Sequence, residues 1–138
     1  MPLRRPAVHN IKTNEVLHVL TPDEPGIYGR VLGTLANAGV NLKAISVRSE
    51  GNKGHFLLLT ADNAKAAKAL KALGYKVSPH KVITAEIGDR IGAGAEIGAL
   101  LGNAAVSIEY CFGSSVGSGN ALLVFKTSDN KKAIDTLR

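Results

Sequence analysis

The chain carries one sequence pattern twice, and this repeat limits its possible folds more than any other feature. Residues 24–45 (EPGIYGRVLGTLANAGVNLKAI) align without a gap with residues 90–111 (RIGAGAEIGALLGNAAVSIEYC). After one inserted residue, residues 56–63 (FLLLTADN) align with residues 123–130 (LVFKTSDN). A repeat of this extent predicts two copies of one folding unit rather than a single larger core.

The first copy has the periodicity of a βαββαβ unit. Its aliphatic runs predict strands at residues 15–21, 40–49, 55–60 and 75–79, with a turn at residues 51–54. Between the first two strands we predict a helix from Gly26 to Asn37, because Ile27, Val31 and Leu35 recur at helical spacing. A second helix is predicted at residues 64–73, capped by Asp62 or Asn63.

The second copy departs from the first at its end. It reaches its second helix and stops at Arg138, before a fourth strand. Either the sequence is truncated there, or another segment fills that edge of the sheet; the alternating residues 7–12 (AVHNIK) and a partner chain are both candidates. We therefore predict an α+β fold of two ferredoxin-like units in tandem, each an antiparallel sheet with its helices on one face.

This prediction divides the chain into three parts. Residues 1–14 are a basic tail or an extra strand, residues 15–79 are a first module, and residues 80–138 are a second module that is incomplete at its C-terminus.

The motifs of the first copy resemble the ACT domain family. The resemblance rests on DEPG (23–26) before the helix and NAGVNL (37–42) after it, and it extends over residues 15–137. ACT domains are small-molecule-binding regulatory modules of the βαββαβ fold. The tandem order, and VSIEYCF in the second copy, are similar to stand-alone paired-ACT proteins that bind amino acids. The second copy departs from the pattern, with Ile91, Ala105 and Ser107 in place of proline, glycine and asparagine.

The resemblance implies a ligand site in the seam between two modules. There, the loop of one module would face the start of strand two of the other. The implied residues are Asp23, Glu24, Pro25, Gly26 and Ile27 with Asn41 and Leu42, and in the second copy Asp89, Arg90, Gly92 and Ala93 with Ser107 and Ile108.

Elementary chemistry is compatible with such a site. A helix start offers free backbone N–H groups to a carboxylate, and the glycines allow a ligand to approach the backbone closely. Asn41 has an amide donor and acceptor for the ligand's amino or carboxyl group. Asp23 has two interpretations, as the helix cap or as the partner of an α-ammonium group. Pro25 suits the first turn of the helix.

Composition argues against several other functions. The chain has 17 basic and 11 acidic residues, but Arg4, Arg5 and Lys12 precede the first acidic residue, so the surplus in the body is ordinary and a nucleic-acid partner is not favoured. No apolar run is long enough to cross a membrane. The single cysteine, Cys111, excludes an internal disulfide and suits a reducing compartment, so we expect a cytoplasmic protein.

No catalytic or metal-binding set emerges from the sequence. The four histidines have no metal-ligand spacing, and the GSSVG segment around Ser115 precedes a strand, whereas a nucleophile elbow precedes a helix. We therefore expect no enzyme, no cofactor and no metal. The expected function is binding of an amino-acid effector by a protein that forms a homodimer and has a possible enzyme partner. The alternative is a regulatory or assembly subunit that pairs through a sheet edge and has no ligand of its own.

Overall fold

The computed structural model describes residues 6–115, 117 and 119–138. Those residues form six strands and four helices. In chain order they are β1 (Val8–Pro22), α1 (Ile27–Asn37), β2 (Leu42–Glu50), β3 (Lys53–Thr60), α2 (Asn63–Ala72), β4 (Lys76–Gly88), α3 (Ala93–Asn103), β5 (Ile108–Ser115), β6 (Asn120–Thr127) and α4 (Asn130–Leu137).

The elements group into two compact units. Unit one is Glu15–His80, and unit two is Lys81–Arg138 together with the described residues up to Asn14. β1 and β4 each run through the boundary, so each strand contributes one half to each unit. This differs from the prediction, in which β4 ended at Pro79. Proline within a sheet is confined largely to edge strands, and β4 is the terminal strand in the order of unit one.

Unit one has the strand order β2-β3-β1-β4. β3 is antiparallel to both of its neighbours, so that Leu58 lies opposite Leu17 on β1 and Ile45 on β2. Its core lies between this sheet and the apolar faces of α1 and α2. The fully buried residues of that core with the largest side chains are Phe56, Leu58, Leu35, Leu70, Val19 and Val31.

Unit two has the strand order β1-β4-β6-β5, which repeats the order of unit one. The fourth strand, which is missing after α4, is supplied by the N-terminal half of β1. The backbone N–H of Gly88 donates to the carbonyl of Ala7 at 3.1 Å, and the side-chain amide of Asn10 donates to the carboxylate of Glu86. The sequence left two candidates for this strand, residues 7–12 and a partner chain. In the fold it is formed by the N-terminal segment.

The helices that follow each first strand end in the same way. Gly39 lies after α1 with φ 71°, its N–H bonds to the Ala36 carbonyl, and the next N–H, of Val40, bonds to the Leu35 carbonyl at 2.9 Å. This is the Schellman pattern, and it needs a residue in the left-handed conformation. After α3 that residue is Ala105, with φ 59°. The replacement of glycine by alanine in the second copy thus leaves the ending unchanged but strained.

A repeated polar network fixes the second helix of each copy to its sheet. Asn63 accepts a hydrogen bond from the Thr60 hydroxyl at 2.6 Å and donates to the Glu15 carbonyl at 2.9 Å. Asn130 does the same with Thr127 and with the carbonyl of Lys81 in unit two. Because both partially buried side chains are satisfied, the helix start is tied to the first strand of each unit.

Candidate ligand-binding loops

The loop before α1 is a tight turn that ends at a glycine. The N–H of Ile27 donates to the carbonyl of Glu24 at 3.2 Å, and Gly26 has φ 89° and ψ −7°. These are the dihedral angles of the third residue of a type II β-turn, which favours proline at the second position, here Pro25. The prediction that Pro25 lies in the first turn of the helix is therefore wrong, because the proline belongs to the turn before it.

The second copy forms the same turn without the proline. The N–H of Ala93 donates to the carbonyl of Arg90 at 3.2 Å, and Gly92 has φ 87° and ψ −3°. Ile91 stands at the position of the proline, and its side chain is fully exposed. Glycine is thus required for the backbone conformation at both turns, and a Cβ there would meet open space but would strain the main chain.

The four helices begin in two different ways. α2 and α4 are capped by Asp62 and Asp129, whose carboxylates accept from the N–H groups of Lys65 and Lys132. Of the two predicted caps of α2, Asp62 and Asn63, the cap is therefore Asp62. α1 and α3 instead begin at the turn glycines and have no side-chain cap. An uncapped helix start presents unpaired N–H groups and the positive end of the helix dipole to an anion.

At α1 the open groups can be named. The first helical bond runs from the N–H of Arg30 to the carbonyl of Gly26 at 3.0 Å, and the N–H of Ile27 is used by the turn. No described residue accepts from the N–H groups of Tyr28 and Gly29. These two amides are the donors that the loop offers.

Asp23 does not cap the helix. Its own N–H donates to the carbonyl of Asn52 at 3.1 Å, which anchors the loop to the β2–β3 turn. Its exposed carboxylate has no donor or ion-pair partner among the described residues. Of the two interpretations of Asp23, the cap is therefore wrong.

The equivalent aspartate of the second copy is engaged. The N–H of Asp89 donates to the carbonyl of Gly119 at 2.7 Å, and its carboxylate accepts from the Ser115 hydroxyl. The two loops have the same backbone conformation, but the carboxylate is free to bind a ligand only in the first. Sequence analysis weighed Ser115 only as a nucleophile and missed its contact with Asp89, because that contact depends on tertiary structure.

An ion pair links each loop to its helix. Nη1 of Arg30 lies 3.1 Å from Oε1 of Glu24, and in the second copy Arg90 pairs with Glu96. The pKa of Arg30 is raised by hydrogen bonds to Tyr75 first and to Glu24 second, and the hydrogen bond to Glu96 raises the pKa of Arg90. Sequence analysis named Glu24 and Arg90 but missed both partners.

The strand-two positions lie apart from the loops within each unit. In unit one, Pro22 pairs with Lys53 and Leu42 pairs with Thr60, at opposite ends of β3. Eight residues of strand correspond to about 25 Å, so the loop and Asn41 do not form one site within a single unit. Unit two repeats this, since Gly88 pairs with residue 120 and Ile108 with residue 127 of β6.

These positions offer different groups. The Asn41 side chain is exposed, and its main-chain carbonyl accepts from the N–H of Ala61 at 2.9 Å. Leu42 is half-buried against the core of unit one, and Ile108 is 40% exposed. The N–H of Ser107 is already used by the Ser128 hydroxyl, at 3.0 Å.

Two of the predicted site residues serve the core instead. The side chains of Ile27 and Ala93 are buried, so only their backbones line the loops.

Three further features of the described part of the chain bear on its function: metal sites, membrane-spanning helices and cavities. There, no group of three or more His, Cys, Asp or Glu side chains is arranged to hold a metal ion. None of the helices in the same residues has the length and apolar composition needed to cross a membrane. A cavity of about 330 Å³ in unit two contains none of the predicted site residues; it is lined by Lys12, Thr13, Lys131, Ile134, Asp135 and Arg138.

The comparison with known families agrees with the geometry of unit one. Residues 16–75, from β1 to the end of the α2–β4 connection, match the family model of the ACT domain. The chain contains an ACT domain in unit one. ACT domains are regulatory modules that bind small molecules, which supports a regulatory, ligand-binding role for this protein.

Solved structures extend the likeness to nearly the whole ACT-domain protein. It is 26% identical to a protein from Bacteroides thetaiotaomicron, with a TM-score of 0.86 over 94% of this chain and 89% of the other. The regulatory subunits of aspartate kinase from Thermus thermophilus (15% identity, TM-score 0.67) and Thermus flavus (18%, 0.63) share its fold; both alignments cover 95% of this chain and 96% of theirs. No curated protein matches the chain.

Proposed function

We propose that this ACT-domain protein is a non-catalytic regulatory protein whose effector is an amino acid bound at the loop before α1. One observation carries the proposal: an uncapped helix start and an unpaired carboxylate, that of Asp23, belong to the same short loop. The starts of α2 and α4 have their own caps, Asp62 and Asp129. The loop of α1 therefore offers an anion site next to a cation site.

An amino acid has the matching pair of charges. Its α-carboxylate would accept from the amides of Tyr28 and Gly29, where the helix dipole favours a negative charge. Its α-ammonium would pair with Asp23. A phosphate-bearing ligand fits less well, because a dianion at the helix start would be repelled by the same carboxylate.

The two copies are proposed to differ in affinity. In the second copy the Ser115 hydroxyl already donates to Asp89, so an ammonium group would have to compete with that hydrogen bond. We propose that the first copy binds the effector more tightly. Direct binding isotherms with one dominant site per chain would support this asymmetry.

The wall opposite the loop is proposed to come from another module. Within one unit, Asn41 is too far from the loop to reach the same ligand. The family pattern places strand two of a second module there, so Asn41 and Leu42, or Ser107 and Ile108, would contact the effector through that module. Binding would then favour one arrangement of modules over others, which is how occupancy would be reported to an enzyme partner.

The decisive experiment is a thermal-shift screen of the full chain against the twenty amino acids, with hits confirmed by calorimetry. Ligand at about 100 times its dissociation constant stabilises the folded state by about 2.7 kcal/mol, a shift of several degrees. Asp23→Asn should abolish that shift, and Asp89→Asn is the matched control. Asn41→Ala tests the opposite wall. Gly26→Val is unsuitable, because its φ of 89° would strain any side chain.

A lack of any amino-acid shift would overturn the proposal. The alternative, an assembly subunit without a ligand, was motivated by the missing fourth strand of the second copy. That strand is supplied by the N-terminal half of β1, so the motivation no longer holds.

Self-association is a separate proposal. β2 and β5 are the terminal strands in the strand orders of the two units. We propose that the chain forms a homodimer by pairing such an edge, because the unpaired N–H and C=O groups of an edge strand can form hydrogen bonds with another chain. Light scattering after size-exclusion chromatography should give twice the mass of 14.4 kDa, and a monomeric mass over the micromolar range would refute the dimer.

A further inference from the structure

Three histidines that are far apart in the sequence meet on one face of unit one. They lie on three neighbouring strands: His18 on β1, His55 on β3 and His80 on β4. Nε2 of His18 is 2.9 Å from Nδ1 of His55, a hydrogen bond between two imidazole rings. The ring of His80 is stacked on that of His18, with centroids 5.3 Å apart and planes inclined by 8°. We call these three residues the histidine cluster.

The cluster lies on the face of the sheet that the helices do not cover. Leu17 and Val19 belong to the core beneath α1 and α2, and side chains alternate along a strand, so His18 points to the other face. All three histidines are partly buried. No part of the proposed effector site uses them, so the inference goes beyond the proposed function.

The charged groups around the cluster are mainly cationic. Arg48 on β2 lies directly opposite His55, and Lys76 precedes His80 by four residues on β4. Glu50 is the acid on this face of β2, but it forms an ion pair with Arg48 and lies opposite Lys53. A proton added to the cluster would therefore join a region that already contains Arg48, Lys53 and Lys76.

The geometry also limits the number of protons that the cluster can hold. The contact between Nε2 of His18 and Nδ1 of His55 needs one donor and one acceptor, so it tolerates one proton between the two nitrogens and not two. The stacked ring of His80 would place a further positive charge about 5 Å from His18. An unfolded chain has no such limit, and each of its histidines titrates near 6.5.

From this arrangement we propose that the histidine cluster is a pH-sensitive element that loosens unit one as the medium becomes mildly acidic. At neutral pH the contact between Nε2 of His18 and Nδ1 of His55 holds one proton, and the hydrogen bond is intact. As the pH falls, protonation of a second and third ring breaks that bond and sets like charges against one another. Unit one then opens more readily than it does at neutral pH.

The direction of titration agrees with this geometry. The pKa of His18 is lowered by burial first, then by His80 and His55, and then by Arg48 and Lys76. A group whose pKa is lower in the folded chain than in the unfolded chain adds to the free energy of unfolding. That contribution is fully present at pH values above the unfolded pKa, about 6.5, and it is lost as the pH falls through the folded pKa. Between these two pKa values, each proton that only the unfolded chain binds raises the unfolding equilibrium constant about tenfold for every pH unit by which the pH falls.

The first test is a histidine NMR titration of the full chain between about pH 8 and about pH 4.5. We expect the His18 ring signals to titrate below about 6.5, the value of a histidine in an unfolded chain. Assignments come from the single variants His18→Gln and His9→Gln. A His18 midpoint equal to or above about 6.5 in the wild-type chain would overturn the proposal.

The second test compares unfolding by urea at about pH 7.5 and about pH 5. We expect the unfolding constant of the wild type to rise more over this interval than that of His18→Gln, because the variant has lost the ring at the centre of the cluster. His9→Gln should retain the wild-type pH dependence. Equal pH dependence in the wild type and in His18→Gln would contradict the proposal.

Discussion

Arg30 and Glu24 form an ion pair, 3.1 Å between Nη1 and Oε1, whose charges are exchanged in the second copy of the repeat. Glu24 aligns with Arg90 and Arg30 aligns with Glu96, and the pair between Arg90 and Glu96 is also formed. A duplicated pair that keeps its contact while both charges are reversed indicates that the contact matters rather than either charge. In both copies it ties the turn to the helix that follows.

This exchange predicts the behaviour of charge reversals. Arg90→Glu alone places two carboxylates against each other, and we expect it to lower the melting temperature of the full chain. Adding Glu96→Arg should restore most of the loss, because the double variant recreates the order found in Glu24 and Arg30. The same reversals at Glu24 and Arg30 are the matched control and should have a smaller effect, since those side chains are 48% and 52% exposed, against 30% and 17% for Arg90 and Glu96. Equal losses in the single and double variants, measured by calorimetry, would contradict this reasoning.

The two helix endings predict that glycine is more stable than alanine at both positions, Gly39 and Ala105. Ala105→Gly should stabilise the protein by about 0.5–1 kcal/mol, since glycine adopts φ 59° without the strain that alanine carries, although it also makes the unfolded chain more flexible. Gly39→Ala should destabilise it by about 1 kcal/mol for the same reason. Urea denaturation of both variants provides the measurement. Destabilisation by Ala105→Gly would show that the left-handed conformation is not the source of strain.

The helix caps separate stability from ligand binding. Asp62→Ala and Asp129→Ala should each cost about 1 kcal/mol, because each removes the acceptor of a first-turn N–H. Asp23→Ala removes no hydrogen bond of the described residues, so we expect stability to change by less than about 0.5 kcal/mol. If effector binding is lost in that variant alone, Asp23 is a ligand contact. A loss of about 1 kcal/mol in Asp23→Ala would restore its interpretation as a cap.

The sequence predicted the parts of the fold that depend on local periodicity. The buried face of α1 (Ile27, Val31 and Leu35) and the cap at Asp62 are confirmed, because both follow from residues within one or two turns of the chain. The continuity of β4 through Pro79 was missed. A proline favours a break locally, whereas its tolerance depends on which neighbour the strand has in the sheet.

The candidate site was predicted less completely, for a physical reason. The loop residues were named from a family pattern, and their turn geometry follows from the order of proline and glycine. The groups that distinguish the two copies are contacts made through tertiary structure: Ser115 with Asp89, and Asn52 with Asp23. The meeting of His18 and His55 likewise depends on strand pairing, which single-sequence spacing does not contain.

Because the N-terminal half of β1 is the fourth strand of unit two, we expect N-terminal truncation to destabilise unit two selectively. Removal of residues 1–12 deletes the segment that pairs with the C-terminal half of β4, including the bond from the Gly88 N–H to Ala7. It also removes Val8 and Ile11, which pack against the core of unit two. We expect unit two to lose several kcal/mol, because an edge strand and part of its core are lost together.

Hydrogen exchange measured by mass spectrometry distinguishes this from a global effect. Amides of β4 beyond Lys81 and of β6 should lose protection in the truncated chain, while those of β3 and α2 in unit one should retain it, since unit one obtains all four of its strands from Glu15–His80. Double alanine replacement of Val8 and Ile11 is the milder control and should weaken protection of the same β4 amides. Unchanged exchange at Gly88 after truncation would mean that the N-terminal half of β1 is not the fourth strand of unit two.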